Sequence, residues 1–219
     1  MTRQEVGRRL LTAATLGIAL VGCDARSSRA QSPAAATTAA AASAGPLIET
    51  TPTGLVYQGN AMNLGAPMSE WIQALGQDYR STQPSPGLTV LVWDKLGIRV
   101  YPDNGKSPNA TIVTIVLNHM DREAAGFEVA APGTELEPLH VFSQPLSLQG
   151  LVITNRTTVG DLRVAGGEAW DFSCTKGVAT CFTHRTDLAP DQLSIAFAVD
   201  GRIEDSVIYT VELQQAAPQ

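Results

Sequence analysis

The chain has 219 residues, 44% of them hydrophobic and 16% charged, with a formal net charge of −6 at pH 7. That balance fits a globular class with one ordinary core, or two small cores fused into one. No basic stripe is present, which excludes nucleic acid as a partner, and the mild acidity supplies no attraction to anionic lipid.

Arg3, Arg8 and Arg9 precede an apolar run from Leu10 to Val21. The run has the length of a signal-peptide core and falls short of the roughly 20 residues of a relaxed transmembrane helix. It ends in Leu20-Val21-Gly22-Cys23, which resembles the lipobox of bacterial lipoproteins. The resemblance implies that residues 1–22 are a signal peptide, cleaved before Cys23. Cys23 would then carry diacylglycerol on its thiol and a further acyl chain on its freed amine. Three chains anchor firmly where one binds a membrane only marginally. Asp24 resembles the signal that retains lipoproteins of enteric bacteria in the inner membrane. The expected location is therefore the cell envelope, on the periplasmic face of the inner membrane, with the outer membrane as the alternative. An ordinary secretory signal, cut in the Ala-rich stretch beyond, is the other reading of the leader. Arg8-Arg9 meets only part of a twin-arginine signal.

Residues 23–46 are almost all Ala, Ser, Thr, Gln and Pro after the first few positions. Without aromatic or large aliphatic side chains no core forms, and a short Ala-rich segment is marginal as an isolated helix. The segment reads as a spacer holding a folded domain away from a bilayer.

The folded part is expected over 47–213, with a short tail at 214–219. Its main signal is an internal echo. Gln58-Gly59-Asn60-Ala61-Met62-Asn63-Leu64, followed by Met68, Trp71, Ala74 and Gly76, corresponds to Gln149-Gly150-Leu151-Val152-Ile153-Thr154-Asn155, followed by Val159, Leu162, Ala165 and Gly167. Each copy predicts a short strand, then a helix with apolar positions at i, i+3 and i+6, ended by a glycine. Asn155 or Thr157 is expected to cap the second helix, with Asp161 in its first turn. Strands are expected over 88–93, 97–101 and 110–117, and again over 169–174, 178–183, 192–199 and 203–213. Turns are expected at 94–97, 103–105 and 200–201. The fold class is thus α+β: two tandem repeats, 47–125 and 126–213, each a helix on an antiparallel sheet, merged into one domain.

With Cys23 assigned to lipid, Cys174 and Cys181 remain as an even pair in an oxidising compartment. Apolar and β-branched residues on either side of Lys176-Gly177 predict a hairpin that opposes the two cysteines, so a disulfide is expected. A redox-active pair would instead favour Cys-x-x-Cys at a helix start.

Tandem helix-plus-sheet modules resemble the β-lactamase inhibitor protein and the small lipoprotein of the outer-membrane β-barrel assembly machinery. The segment from Met62 to Gly76 carries the likeness. Val92-Trp93-Asp94-Lys95-Leu96-Gly97-Ile98-Arg99-Val100-Tyr101 is closer to a group of uncharacterised bacterial proteins with a Trp-Asp-x-Leu-Gly-Ile core. These likenesses imply a fold and no functional residues.

Catalytic signals are weak. His119, His140 and His184 lack metal-like spacing, and no nucleophile elbow or phosphate loop occurs. Asp121, Glu123, Glu135 and Glu137 read as a wet loop, and Trp93-Asp94 as a packed Trp followed by a turn. No catalytic residue, metal or cofactor is expected, and the chain is not expected to be an enzyme. The expected function is protein binding or inhibition of an exported partner, through a sheet face bearing Arg99, Tyr101 and Tyr209. A structural envelope lipoprotein is the alternative, and a periplasmic small-ligand binder or enzyme the third reading.

Overall fold

Two tight turns organise the chain. Gln58-Gly59 and Gln149-Gly150 both hold positive φ at each position, 49° and 82° in the first turn, 50° and 89° in the second. That is the two-residue hairpin geometry whose twist matches the flanking strands. The computed structural model describes residues 47–103, 108–120, 131–167, 172–175, 180–183, 193–200 and 203–215.

Strand β1 (Ile48–Thr50) is followed by the first hairpin, β2 (Gly54–Tyr57) and β3 (Asn60–Asn63), and then by helix α1 (Met68–Leu75). Strands β4 (Arg80–Ser85), β5 (Leu88–Trp93), β6 (Ile98–Pro102) and β7 (Ala110–Val116) complete the first half. The second half opens with the hairpin β8 (Leu146–Leu148) and β9 (Leu151–Ile153), then helix α2 (Val159–Gly166). It continues with β10 (Phe172–Thr175), β11 (Thr180–Thr183), β12 (Leu193–Ala198) and β13 (Thr210–Gln215).

The fold is α+β, with much more sheet than helix. The larger sheet has eight strands in the order β10-β11-β12-β13-β7-β6-β5-β4. The smaller has five, β3-β2-β1-β8-β9, in which β1 pairs antiparallel with β2 and parallel with β8. The central seam of the larger sheet joins the last strands of the two halves, β7 and β13. Each helix start is tied to the approach to one of those strands: the Met68 N–H donates to the Pro108 carbonyl at 3.0 Å, and the Val159 N–H to the Ser206 carbonyl at 3.1 Å.

Alternation divides the larger sheet into two faces. Trp93, Ile98, Ile115, Val211, Phe197 and Cys181 form one cross-strand row on the inner face. These residues join Met68, Trp71 and Leu75 of α1, Val159 and Leu162 of α2, and Ile48, Leu55, Met62, Leu146 and Ile153 of the smaller sheet in a single core. Full burial of each large aliphatic side chain contributes about 1.5–3 kcal/mol. The two buried indoles also satisfy their N–H groups: Trp71 Nε1 donates to the Asn63 carbonyl at 3.1 Å, and Trp93 Nε1 to the Gly76 carbonyl at 2.7 Å. Trp93 therefore packs at the end of α1, as its pattern suggested, and stacks obliquely on Tyr79 with ring centres 5.3 Å apart.

Cys174 and Cys181 are directly opposed in the β10–β11 pair and form a disulfide. Some sequence expectations need correction. The cap of α2 is Thr158, not Asn155 or Thr157: its hydroxyl accepts from the Asp161 N–H while the Asp161 carboxylate accepts from the Thr158 N–H. Thr157 is occupied one turn earlier, accepting from the Thr154 N–H at 3.0 Å. The expected strand over 203–213 divides into a 3-10 turn, Ile203–Asp205, and β13. A hairpin, rather than a single strand, precedes each helix, and β1 and β4 were not anticipated. The expected turns at Asn104-Gly105 and Lys176-Gly177, together with Cys23, Asp121, Glu123 and His184, lie outside the described residues.

Candidate functional site

The outer face of the larger sheet carries the second set of alternating positions. Val92, Arg99, Thr114, Glu212 and Ala196 form one cross-strand row. Tyr101, Ile112, Gln214 and Ser194 form the next. Arg99 and Glu212 are polar interruptions in strands whose inner-facing neighbours, Ile98, Val100, Val211 and Leu213, are all buried.

Part of this face is covered by the segment 131–142, held down by a set of polar bonds and by Phe142, which is buried in the core. Arg80 Nε donates to Asp94 Oδ2 at 2.8 Å, and its other nitrogens donate to the carbonyls of Glu135 and Glu137. Asp94 in turn accepts from the Leu139 N–H at 2.9 Å, and its carbonyl accepts from the His140 N–H at 3.0 Å. The Phe142 N–H closes the segment against the Val116 carbonyl at 2.7 Å. Gly97, at φ 68°, permits this approach: a Cβ there would lie 2.4 Å from the Phe142 nitrogen.

The charged centre lies beneath the segment. Arg99 donates to the Leu136 carbonyl at 3.1 Å and lies 3.9 Å from Glu137 Oε2. His119 Nδ1 lies 2.6 Å from Glu137 Oε1. Glu137 is 14% exposed and stands between the Arg99 guanidinium and the His119 imidazole. Burial pushes the Glu212 carboxyl above its ordinary value, and the Arg99 guanidinium offsets part of that. Burial likewise raises the Tyr101 phenol, again with Arg99 opposing. Arg99 is thus the charge that makes a carboxyl on this face tolerable.

A profile described as a domain of unknown function (DUF7738) matches residues 47–163, more than half of the chain. The chain belongs to the DUF7738 family. No curated protein and no solved structure matches it significantly. The DUF7738 region contains Arg80, Asp94, Arg99, Tyr101, His119 and Glu137, and therefore the whole covering segment with its anchors. It ends in α2, before Cys174 and Glu212.

Of the residues expected to bind a partner, Arg99 and Tyr101 share the outer face of this DUF7738 chain. Tyr209 does not join them. It is 7% exposed at the approach to β13, where its carbonyl accepts from the N–H groups of Leu117 and Asn118. Sequence reasoning missed Arg80, His119, Glu137, Thr114 and Glu212 as a group. The one available signal was Glu212 between Val211 and Leu213, a carboxylate inside an alternating strand.

A second concavity lies on the inner side. Met68 and Ile72 of α1, Thr89 and Leu91 of β5, and Pro102 and Pro108 line an open groove of about 570 Å³. Among the described residues no group of three or more His, Cys, Asp or Glu side chains is placed to hold a metal ion. No described helix is long and apolar enough to cross a membrane.

Proposed function

We propose that this chain is an envelope lipoprotein, anchored through Cys23, whose folded domain binds another exported protein on the outer face of the larger sheet. The observation that carries the binding reading is the polar centre of that face. Arg99 and Tyr101 of β6 and Glu212 of β13 lie on either side of β7, each partly exposed, Arg99 by 16%. Arg and Tyr are the residue types that dominate binding energy at protein interfaces. The lipobox-like Leu20-Val21-Gly22-Cys23 and the Ala-rich spacer after it support the anchoring. The domain reads as two tandem modules, 47–125 and 126–213. This is supported by matched hairpin turns, matched helix starts and the meeting of β7 with β13 at the seam. The periplasmic face of the inner membrane is the proposed location, on Asp24.

Crosslinking and purification from native envelopes tests the binding. Wild type is expected to recover one stoichiometric protein, and Arg99→Glu to lose it while Cys23→Ala loses membrane attachment. Recovery of the same protein by Arg99→Glu would move the site off this face. The inner groove favours a second reading, a small apolar ligand, since its size falls in the range of ligand pockets; Ile72→Trp would abolish that binding and leave protein capture intact.

A further inference from the structure

The disulfide differs from a buried cross-link in three respects. It joins directly opposed residues of a hairpin whose outer strand, β10, is an edge of the larger sheet. Its two sulfurs sit in different surroundings: Cys181 is fully buried, whereas Cys174 is only partly covered. A fixed positive charge also stands beside the more accessible sulfur. Arg163 of α2 places Nη2 3.9 Å from Cys174 Sγ. Its Nε lies 3.0 Å from Glu204 Oε1 in a partly exposed salt bridge.

A guanidinium next to a sulfur stabilises the thiolate over the thiol, and so favours the reduced form of the pair. Because arginine stays charged at every working pH, this bias operates wherever the thiolate forms. We propose that the Cys174–Cys181 bond is a thiol–disulfide exchange site for a dithiol reductant, entered at Cys174 and biased toward reduction by Arg163.

The first thiolate of the reductant attacks Cys174 Sγ, and the electron pair of the broken S–S bond passes to Cys181 Sγ, which takes up the proton that the reductant's second thiol loses. The second thiol of the reductant loses its proton and attacks its own partner sulfur in the mixed disulfide. A disulfide forms in the reductant, and Cys174 departs as a thiolate facing Arg163. Two electrons move from dithiol to protein, and no other reactant is needed. Attack in the opposite sense is blocked by the burial of Cys181.

The test is a redox titration of the full chain in a dithiothreitol buffer, quenched by alkylation. Peptide mass spectrometry separates Cys174 and Cys181 from Cys23. At pH 8, Arg163→Gln is expected to lower the equilibrium constant for reduction about tenfold, a fall of about 30 mV in midpoint. Arg163→Lys should restore most of it. At pH 5, where the thiols are protonated in every variant, the difference should vanish. Glu204→Gln breaks the same salt bridge but leaves the positive charge, and should not lower the midpoint. The proposal is overturned if wild type and Arg163→Gln titrate together at pH 8, or if Glu204→Gln falls as far as Arg163→Gln. It is also overturned if the native chain resists dithiothreitol until denaturant is added.

Discussion

At the scale of single residues, Glu212 and Arg99 give opposite expectations. Burial raises the Glu212 carboxyl above its ordinary value near 4.5 in the folded chain. Below that value the residue is protonated in both folded and unfolded states and costs nothing. As the pH rises through the raised folded value, the native state must carry a poorly solvated charge, so stability falls. Glu212→Gln removes this term. Its melting temperature relative to wild type should therefore be higher at pH 7 than at pH 4, and a difference independent of pH would refute the argument. Arg99→Met acts the other way. It removes a hydrogen bond to Leu136 and a positive charge beside Glu137 and Glu212, and should cost about 1–3 kcal/mol in urea denaturation at pH 7. In the double variant with Glu212→Gln the cost should shrink, because one of the two stranded carboxylates is gone.

The secondary elements owe their limits to local chemistry that single substitutions can expose. The reciprocal Thr158–Asp161 bonds satisfy two backbone donors at the start of α2. Thr158→Ala should cost about 1 kcal/mol. The same bonds hold the Asp161 carboxyl below its ordinary value. Their contribution is thus present above the unfolded value near 3.8 and is lost as the pH falls through the lower folded one. Two glycines with positive φ separate strain from crowding. A methyl group at Gly59 would meet nothing within 4 Å, so Gly59→Ala should cost only the left-handed penalty of about 1–2 kcal/mol. At Gly97 the same methyl group would press on the backbone of the covering segment, 2.4 Å from the Phe142 nitrogen. Gly97→Ala should cost clearly more and should increase hydrogen exchange over residues 131–142. Equal melting temperatures for the two variants would show that the segment yields freely.

Considered as a whole, the molecule depends on β1 out of proportion to its length. This three-residue strand lies between the two hairpins, pairing with β2 on one side and β8 on the other. Ile48, at its start, is fully buried in the common core. Ile48→Ala should cost about 2–5 kcal/mol. It should also leave one cooperative transition, since the same core contains both halves; two resolved transitions in calorimetry would contradict the single core.

Much of this architecture was legible in the residues. Several strands and both helices followed from alternation and from apolar spacing, and β5 fell where the pattern placed it, because each is specified by neighbours in the chain; the cap of α2, one residue later than expected, did not. An even pair of cysteines around a turn signal is likewise local, and the disulfide followed, whereas the hairpin turns at Gln58-Gly59 and Gln149-Gly150 were not anticipated. What local chemistry could not supply was which strands lie side by side. The meeting of β7 with β13, the insertion of β1 between two hairpins and the return of residues 131–142 onto the sheet all join distant positions. The outer-face centre depends on those pairings: Arg99 and Glu212 become neighbours only through β7, and His119 meets Glu137 only once the segment folds back. Tyr209 shows the converse, an aromatic residue in a promising pattern that tertiary packing buried. Short-range sterics and periodicity suffice for the α+β class, for most of its elements and for the disulfide. The charged centre and the placement of Arg163 beside Cys174 arise from packing alone, because side chains far apart in the chain meet only where the strands and helices that carry them come together.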